Sequence, residues 1–525
     1  MNVENERSRS LWMQTERPKA RPLGSDLRVE IAVVGAGIAG LSTAYELMLR
    51  GHEVAVVDRG AIAGGMTART SAHLSYQIDD RYAELIRTHG EASARKYFES
   101  QKAAVDRVET ICAEARIECG FKRIDLYVFA PDAKGRRDLE KEIEATRKIG
   151  FIGVEWSQAP VDARTEGCLR FSNQARFHPL RYLNGLCKSL KRRGVQLYSN
   201  TPVVSVEETA RGIVAKTESG HTITARALVA ATNSPFVNRL AVHTKQAPYR
   251  TYVMTASVPK GSAADVLIWD TEDPYHYVRL DPRENDDLLI FGGEDHKSAS
   301  VDDAADRLKR LEAWARQRFP KLGAIEDVWS GQIYEPFDYL PFIGKSPARK
   351  RVFVVTGDSG EGLTTGVAAS LILPDLIEGK KNAWASVYNP SRKVVAPSPI
   401  VDYLKQAAET ARSVIEKVTG GEKPEDVLRG KGAIVKLKGE KHAAYRDEQG
   451  ELHLMKAACT HVGCTVQWNS FEACWDCPCH GSQFAATGEP LQCPAVSPLK
   501  AVDVDLAKPV TVQKRKHREK QRVRA

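Results

Sequence analysis

The sequence predicts an α/β nucleotide-fold domain with an antiparallel-sheet subdomain, followed by a small all-β domain. Three observations predict it. A strand–glycine turn–helix–strand unit opens at Val29; strongly alternating strands run from 249 to 293; and a texture of short strands and turns begins after 420. At 525 residues, the chain is long enough for two or three such units.

The first unit begins with VEIAVV (29–34), a short apolar run that enters Gly35-Ala36-Gly37-Ile38-Ala39-Gly40. A helical pattern follows over 41–50, and EVAVVD (53–58) reads as the next strand, ending at Asp58. In this context the turn is a dinucleotide fingerprint. Gly35, Gly37 and Gly40 let the backbone approach a pyrophosphate, and the helix N-terminus offers free N–H groups. Asp58 stands where a ribose-binding acid belongs. A second glycine patch, Gly64-Gly65-Met66-Thr67, suits a cofactor longer than the first fold alone, with Gly65 and Thr67 as contacts. Charged helical patterns cover 82–118 and 136–149, and an amphipathic helix covers 303–318. Strands at TYVMTASV, YHYVRL and LLIFGG suggest an antiparallel substrate sheet over about 235–335. The strand VFVVT (352–356) leads into another glycine turn that no acid-ended strand follows, so a second NAD site of the usual pattern is not expected.

These pieces resemble the D-amino-acid oxidase-like FAD-dependent oxidoreductases over roughly residues 28–385. The resemblance rests on IAVVGAGIAGLSTAYEL, RALVAATNSPF, DYLPFIG and TGDSGEGLTTG. It implies an α/β FAD-binding (Rossmann-like) domain with extended FAD, its isoalloxazine lying between the nucleotide fold and the antiparallel sheet. It further implies that Gly357, Gly360, Gly362 and Thr364 lie near the flavin pyrimidine edge. Some relatives attach FAD through a cysteine just before the DYLPFIG-like stretch. Here that region reads Trp329-Ser330-Gly331-Gln332-Ile333-Tyr334, so noncovalent FAD is expected. Family members hold a substrate carboxylate with a tyrosine and an arginine on the sheet, which makes Tyr277 and Arg279 candidates. Alternation puts both on one strand face with Tyr275. His73 is a third candidate against the flavin, although a structural histidine is the simpler reading.

Ten cysteines are unevenly spread, and six fall within 459–493. Such crowding without a secretory context reads as metal binding. Cys459-Thr-His461 and, after a gap of fifteen residues, Cys477-Pro-Cys479-His480 give C-x-H and C-x-x-H. A Rieske [2Fe–2S] centre holds one iron by two cysteines and the other by two histidines, which assigns Cys459 and Cys477 to one and His461 and His480 to the other. Structural zinc is the competing metal, and its usual finger spacing differs. Further residues resemble the Rieske proteins of cytochrome bc complexes over about 425–511. That resemblance implies a disulfide between Cys464 and Cys479, a hydrogen bond from Ser482 to a cluster sulfide, and a covering loop at Pro494. High-potential relatives carry tyrosine where this chain has Phe484, so a lower potential is expected. Cys493 replaces the glycine that usually opens the proline loop, and Cys474 and Cys493 read as small buried hydrophobes.

Around these domains the sequence places a polar N-terminal tail (1–27), a proline-containing linker with a helix at 402–418 (386–424) and a basic tail (512–525). The net charge of +9 owes much to that last segment, which reads as solvated rather than nucleic-acid binding. No apolar run is long enough to span a membrane, and no apolar h-region opens the chain, so a cytoplasmic enzyme is expected. FAD takes an electron pair and a Rieske cluster carries one electron, so their fusion implies a relay. The favoured reading is oxidation of a small-molecule amino acid or secondary or tertiary amine, with electrons leaving through the cluster to an external acceptor. The reverse flow from an external donor, and a non-enzymatic carrier or redox sensor, are the alternatives. Oxygenation would need a mononuclear iron on two histidines and a carboxylate. No closely spaced histidine pair with an acid occurs outside the cluster motifs.

Overall fold

The computed structural model describes residues 6–237, 241–394 and 423–502; the helix expected over 402–418 and the basic tail lie outside the described residues. Five apolar strands build a parallel sheet. In spatial order they are Val352–Thr356, Thr222–Ala230, Leu27–Val34, Val54–Val57 and Gln196–Tyr198. Phe342–Lys345 adds an antiparallel edge. All four residues of Val54–Val57 are buried, as expected for strands covered on both faces. Helices Ile38–Leu49 and Gly362–Ile377 pack side by side. A Cβ on Gly366 would lie 3.0 Å from Ile38 Cγ2 and 3.1 Å from the Ala39 nitrogen. This close crossing brings the 357–362 turn beside the Gly35 turn.

The second sheet is larger than the expected 235–335 segment. Its strands run in the order Ile325–Pro336, Gln246–Pro259, Asp286–Lys297, His276–Pro282, Leu267–Asp270, Lys122–Ala130, Gly167–Arg176 and His73–Leu74. It is also mixed, because Leu267–Asp270 pairs parallel to Lys122–Ala130. The extra strands come from the first third of the chain. Their pairing is long-range, which local alternation does not report.

The C-terminal region forms two antiparallel sheets. One holds Lys431–Leu437, Glu440–Arg446 and Leu452–Lys456; the other holds Gln467–Asn469, Cys474–Asp476, Gln483–Ala485 and Pro490–Gln492. Trp475, Phe484 and Val466 form its core together with Cys459 and Cys477.

The N-terminal residues differ most from their reading as a polar tail. Trp12 is fully buried, its indole N–H donates to the Thr70 carbonyl at 2.7 Å, and the Arg279 guanidinium stacks over its ring. Residues 6–8 run on into the seam between the two halves of the protein, where Arg7 N–H donates to the Glu472 carbonyl at 3.1 Å. A single tryptophan in a charged segment gives no periodic signal, so the strap was not legible as structure.

Candidate active site and cluster site

The glycine turn is built for close approach. Gly35 has φ +107°, and a Cβ there would come within 2.2 Å of the Ala231 carbonyl oxygen. A Cβ on Gly40 would collide with the Gly35 carbonyl oxygen, which lets the helix sit directly on the turn. The helix starting at Ile38 has no acid in its first turn and no side-chain cap at Gly37. Its positive end therefore remains available to a pyrophosphate. Asp58 accepts from Ala36 N–H at 2.7 Å and Gly60 N–H at 3.0 Å, which pins the acid at the strand end. Thr67 accepts from Ile38 N–H at 3.1 Å, so it braces the turn from the second glycine patch. One elongated cavity runs from Gly35, Gly37 and Asp58, past Gly65 and Thr67, to the sheet face. A cradle of glycines, a helix N-terminus with no acid in its first turn and a cavity reaching the sheet fit extended FAD, with Gly65 and Thr67 midway along it.

The far end of the cavity is walled by Trp269, Tyr275 and Tyr277 and by four carboxyl residues: Asp79, Asp295, Asp358 and Glu361. Tyr275 OH donates to Asp79 at 2.8 Å, and Tyr277 OH pairs with Thr251 at 3.0 Å. Gly360 lies so close to Asp79 that a Cβ would meet Oδ2 at 2.5 Å. Ser359 donates to the neighbouring Asp80 at 2.9 Å. Burial drives all these acids up: Asp79 and Asp295 to about 7, Asp80 and Asp358 to about 6, Glu361 well above the usual carboxylate range. Asp79 and Glu361 also act on each other: Asp79 raises Glu361 further, while Glu361 offsets part of the burial at Asp79.

Two sequence-derived candidates change meaning. Arg279 is fully buried away from the cavity wall; it donates to the Ala72 and Phe177 carbonyls, each at 3.0 Å, and to Asp281 at 2.8 Å. It shares a strand face with Tyr275 and Tyr277 but lies further along, beyond the cavity and beneath Trp12. It therefore holds structure and no substrate carboxylate. His73 lines the cavity, yet its ring is engaged by Ser71 at 2.9 Å and by the Val278 carbonyl at 3.2 Å. Burial and the Arg279 charge depress it to about 3, so it stays neutral. Gly360 and Gly362 line the cavity, whereas Gly357 turns the chain outside it at φ +75°. Thr364 points into the core, and Thr365 takes its place on the wall. Asp79 and Asp295 were missed because no motif spacing links residues that only the fold brings together.

In the C-terminal domain the expected ligands converge. The His461 and His480 rings are 5.0 Å apart, and the Cys459 and Cys477 thiols sit in one buried cluster where each shifts the other's acidity. Ser482 is buried and helps lower the Cys459 thiol, and its hydroxyl accepts from Ala495 N–H at 3.0 Å. Cys464 and Cys479 form a disulfide between the two loops. His480 Nδ1 is buried without a hydrogen-bond partner, as suits a ring nitrogen meant for iron. Two thiols and two imidazoles on facing loops fit a Rieske cluster.

The cluster loops dock on the flavin-type domain. Gln332, on the cavity wall, donates from Nε2 to the Gly481 carbonyl at 2.9 Å. Tyr334 OH lies 3.2 Å from the same carbonyl and accepts from Gln492 Nε2 at 3.2 Å. The His243 ring stands 5.2 Å from that of His461 and 5.7 Å from that of His480. A buried charge network closes the seam. Arg69 pairs with Glu6 at 2.9 Å and Glu472 at 3.1 Å, and Arg250 pairs with Asp476 at 3.0 Å. None of these five groups was legible as an interface, since each partner lies far away in sequence.

Comparison with known proteins agrees with this geometry. The family model described as FAD dependent oxidoreductase (DAO) matches residues 30–376, and that of the Rieske [2Fe-2S] domain matches 422–503. The Rieske 2Fe-2S iron-sulfur protein YhfW of Bacillus subtilis is 32% identical over 497 residues, covering 94% of this chain and 96% of its own. Gamma-glutamylputrescine oxidoreductase of Escherichia coli is 24% identical, covering 70% of this chain and 88% of its own. The crystal structure of glycine oxidase from Geobacillus kaustophilus shares the fold, with a TM-score of 0.59 at 20% identity over 70% of this chain and all of its own (100%). The chain therefore belongs to the DAO family of FAD-dependent oxidoreductases and carries a C-terminal Rieske [2Fe-2S] domain.

Proposed function

We propose that the protein dehydrogenates an amine or amino acid at the sheet-side end of its FAD cavity and passes the electrons through the Rieske cluster to an external acceptor. The observation that carries this reading is Gln332. It lines the cavity and donates a 2.9 Å hydrogen bond to Gly481, the residue after the ligand His480. One side chain thus joins the site of two-electron chemistry to the one-electron carrier. Relatives named glycine oxidase and gamma-glutamylputrescine oxidoreductase support a nitrogen-bearing substrate.

FAD, when bound, supplies an acceptor for an electron pair, and the cluster supplies a carrier of single electrons. The chain's own residues handle position and protons. Oxidising an amine to an imine removes a hydrogen with its electron pair from carbon and a proton from nitrogen. The Asp79–Glu361 pair, with Asp79 held at about 7, is suited to take that proton near neutral pH. Tyr275 fixes Asp79 for this task. Noncovalent FAD binding is part of the same reading, since among the described residues no cysteine lies on the cavity wall.

The test is anaerobic mixing of oxidised holoprotein with amines and amino acids, read by electron paramagnetic resonance. A reduced Rieske signal that needs the organic substrate supports the proposal. Absence of the signal with every amine, in protein whose cluster is reduced by dithionite, contradicts it and favours electron flow from cluster to flavin.

A further inference from the structure

The sheet-side end of the cavity has an unusual charge balance for a site meant to hold an amino acid. Four carboxyl residues line it. The basic residues on the wall, among those described, are Arg69 and His73. Arg69 is taken up by Glu6 and Glu472, and His73 is neutral and held by Ser71 and Val278. Arg279, the cation that could have met a carboxylate, is turned to the protein interior. A substrate carboxylate would thus enter among carboxyl groups with no guanidinium facing it.

A second observation points to what the wall does meet. Both carboxylate oxygens of Asp295 are buried and make no well-formed hydrogen bond; the Thr251 hydroxyl that eases its charge is also paired with Tyr277 at 3.0 Å, and the charges of His276 and Arg307 act on it as well. A buried carboxylate supplied by one shared hydroxyl is costly, and native structures keep few of them unless a ligand completes the site. Beside Asp295 stand the rings of Tyr275 and Tyr277, with centroids 5.7 Å apart, and Trp269. Aromatic faces next to an unpaired carboxylate are the surroundings that hold an ammonium ion.

We propose that the substrate is a di- or polyamine without a carboxylate, whose non-reacting ammonium pairs with Asp295 among Trp269, Tyr275 and Tyr277. This rests on the reading of the protein as an amine-oxidising flavoenzyme. It divides labour along the wall. The Asp79–Glu361 pair receives the proton from the reacting nitrogen, and Asp295 anchors the distant one. The oxidation then balances: the reacting C–N bond becomes C=N, an electron pair and hydrogen pass to the flavin, and one proton passes to the pair. The second ammonium is unchanged. Because burial holds the acids up, a cation that enters draws protons off them, so binding near neutral pH releases protons.

The experiment titrates anaerobic holoprotein with 1,4-diaminobutane, glycine or L-proline. It reads dissociation constants from the flavin absorbance and proton release from calorimetry in two buffers of different ionisation enthalpy. The expected result is that the diamine binds at least about tenfold more tightly than either amino acid, the worth of one charge-assisted contact. Asp295→Asn should erase that preference, Asp295→Glu should keep it, and diamine binding should release protons. Tighter binding of an amino acid, no diamine binding, or an Asp295→Asn variant that keeps the preference would each overturn the inference. Failure of the broader functional reading looks different: the diamine would bind with this preference, yet no amine or amino acid would reduce the cluster.

Discussion

Replacing Arg250 with methionine should loosen the cluster domain from the flavin domain. Arg250 and Asp476 are 3.0 Å apart with side chains only 1% and 4% exposed. Arg250 also donates to Ser330 at 2.7 Å and lies 4.0 Å from both Glu6 and Glu472. Without it, Asp476 loses its ion pair, and Glu6 and Glu472 are left with Arg69. Breaking a buried pair from one side costs about 3–5 kcal/mol, because the surviving charge is left uncompensated. At the lower figure, the docking equilibrium falls by more than about a hundredfold. The assay is urea unfolding followed by flavin fluorescence and by cluster absorbance. In the wild type the two signals should share one transition, and in Arg250→Met the cluster domain should come away at lower urea. Arg250→Met combined with Asp476→Leu removes both charges and should recover much of the loss. A single variant that costs less than about 1 kcal/mol, with coincident transitions, would refute the view that this network holds the seam.

Other perturbations follow the same geometry. Gly40→Ala would drive a methyl into the Gly35 carbonyl oxygen, so the purified variant should contain much less FAD than the wild type by absorbance. Tyr334→Phe removes the hydroxyl that touches Gly481 and Gln492, and should slow electron transfer while leaving flavin reduction by substrate unchanged in stopped-flow traces. Phe484→Tyr should raise the cluster potential by about 20–65 mV in a redox titration, the electrochemical equivalent of a net hydrogen bond of about 0.5–1.5 kcal/mol. Asp79, Asp295, Asp80 and Asp358 hold protons in the folded state that the unfolded chain releases near its ordinary value of 3.8. Folding stability should therefore fall as pH rises from about 4 to about 7 and level off above, with a lower urea midpoint for the FAD-free protein at pH 8 than at pH 5.

What could be read from sequence was local. The Gly35 turn announces itself because strand, glycines, helix and Asp58 lie within a short stretch, and the structure keeps them together. The four expected cluster ligands were legible for the same reason, since the residue types are rare and their spacing is tight, whereas the disulfide was implied by the resemblance to Rieske proteins. Alternation placed Tyr275, Tyr277 and Arg279 on one face but could not say how far along the strand the cavity reaches, and Arg279 lies beyond it. The acid wall was hidden because Asp79 in a turn, Asp295 on a strand and Glu361 at a helix start meet only in the folded chain. The strap at Trp12 and the Glu6–Arg69–Glu472 contacts were hidden because they join residues from 58 to 403 positions apart with no motif spacing between them.

The central claim is that flavin and cluster of one chain form a relay through the contact at Gln332. Its most direct test is stopped-flow absorbance after anaerobic mixing of holoprotein with a reducing amine, repeated over a wide range of protein concentration. Flavin reduction followed by cluster reduction, with a second rate constant independent of protein concentration, is the predicted result. A second phase whose rate rises in proportion to protein concentration, or a cluster that stays oxidised beside a reduced flavin, would contradict it.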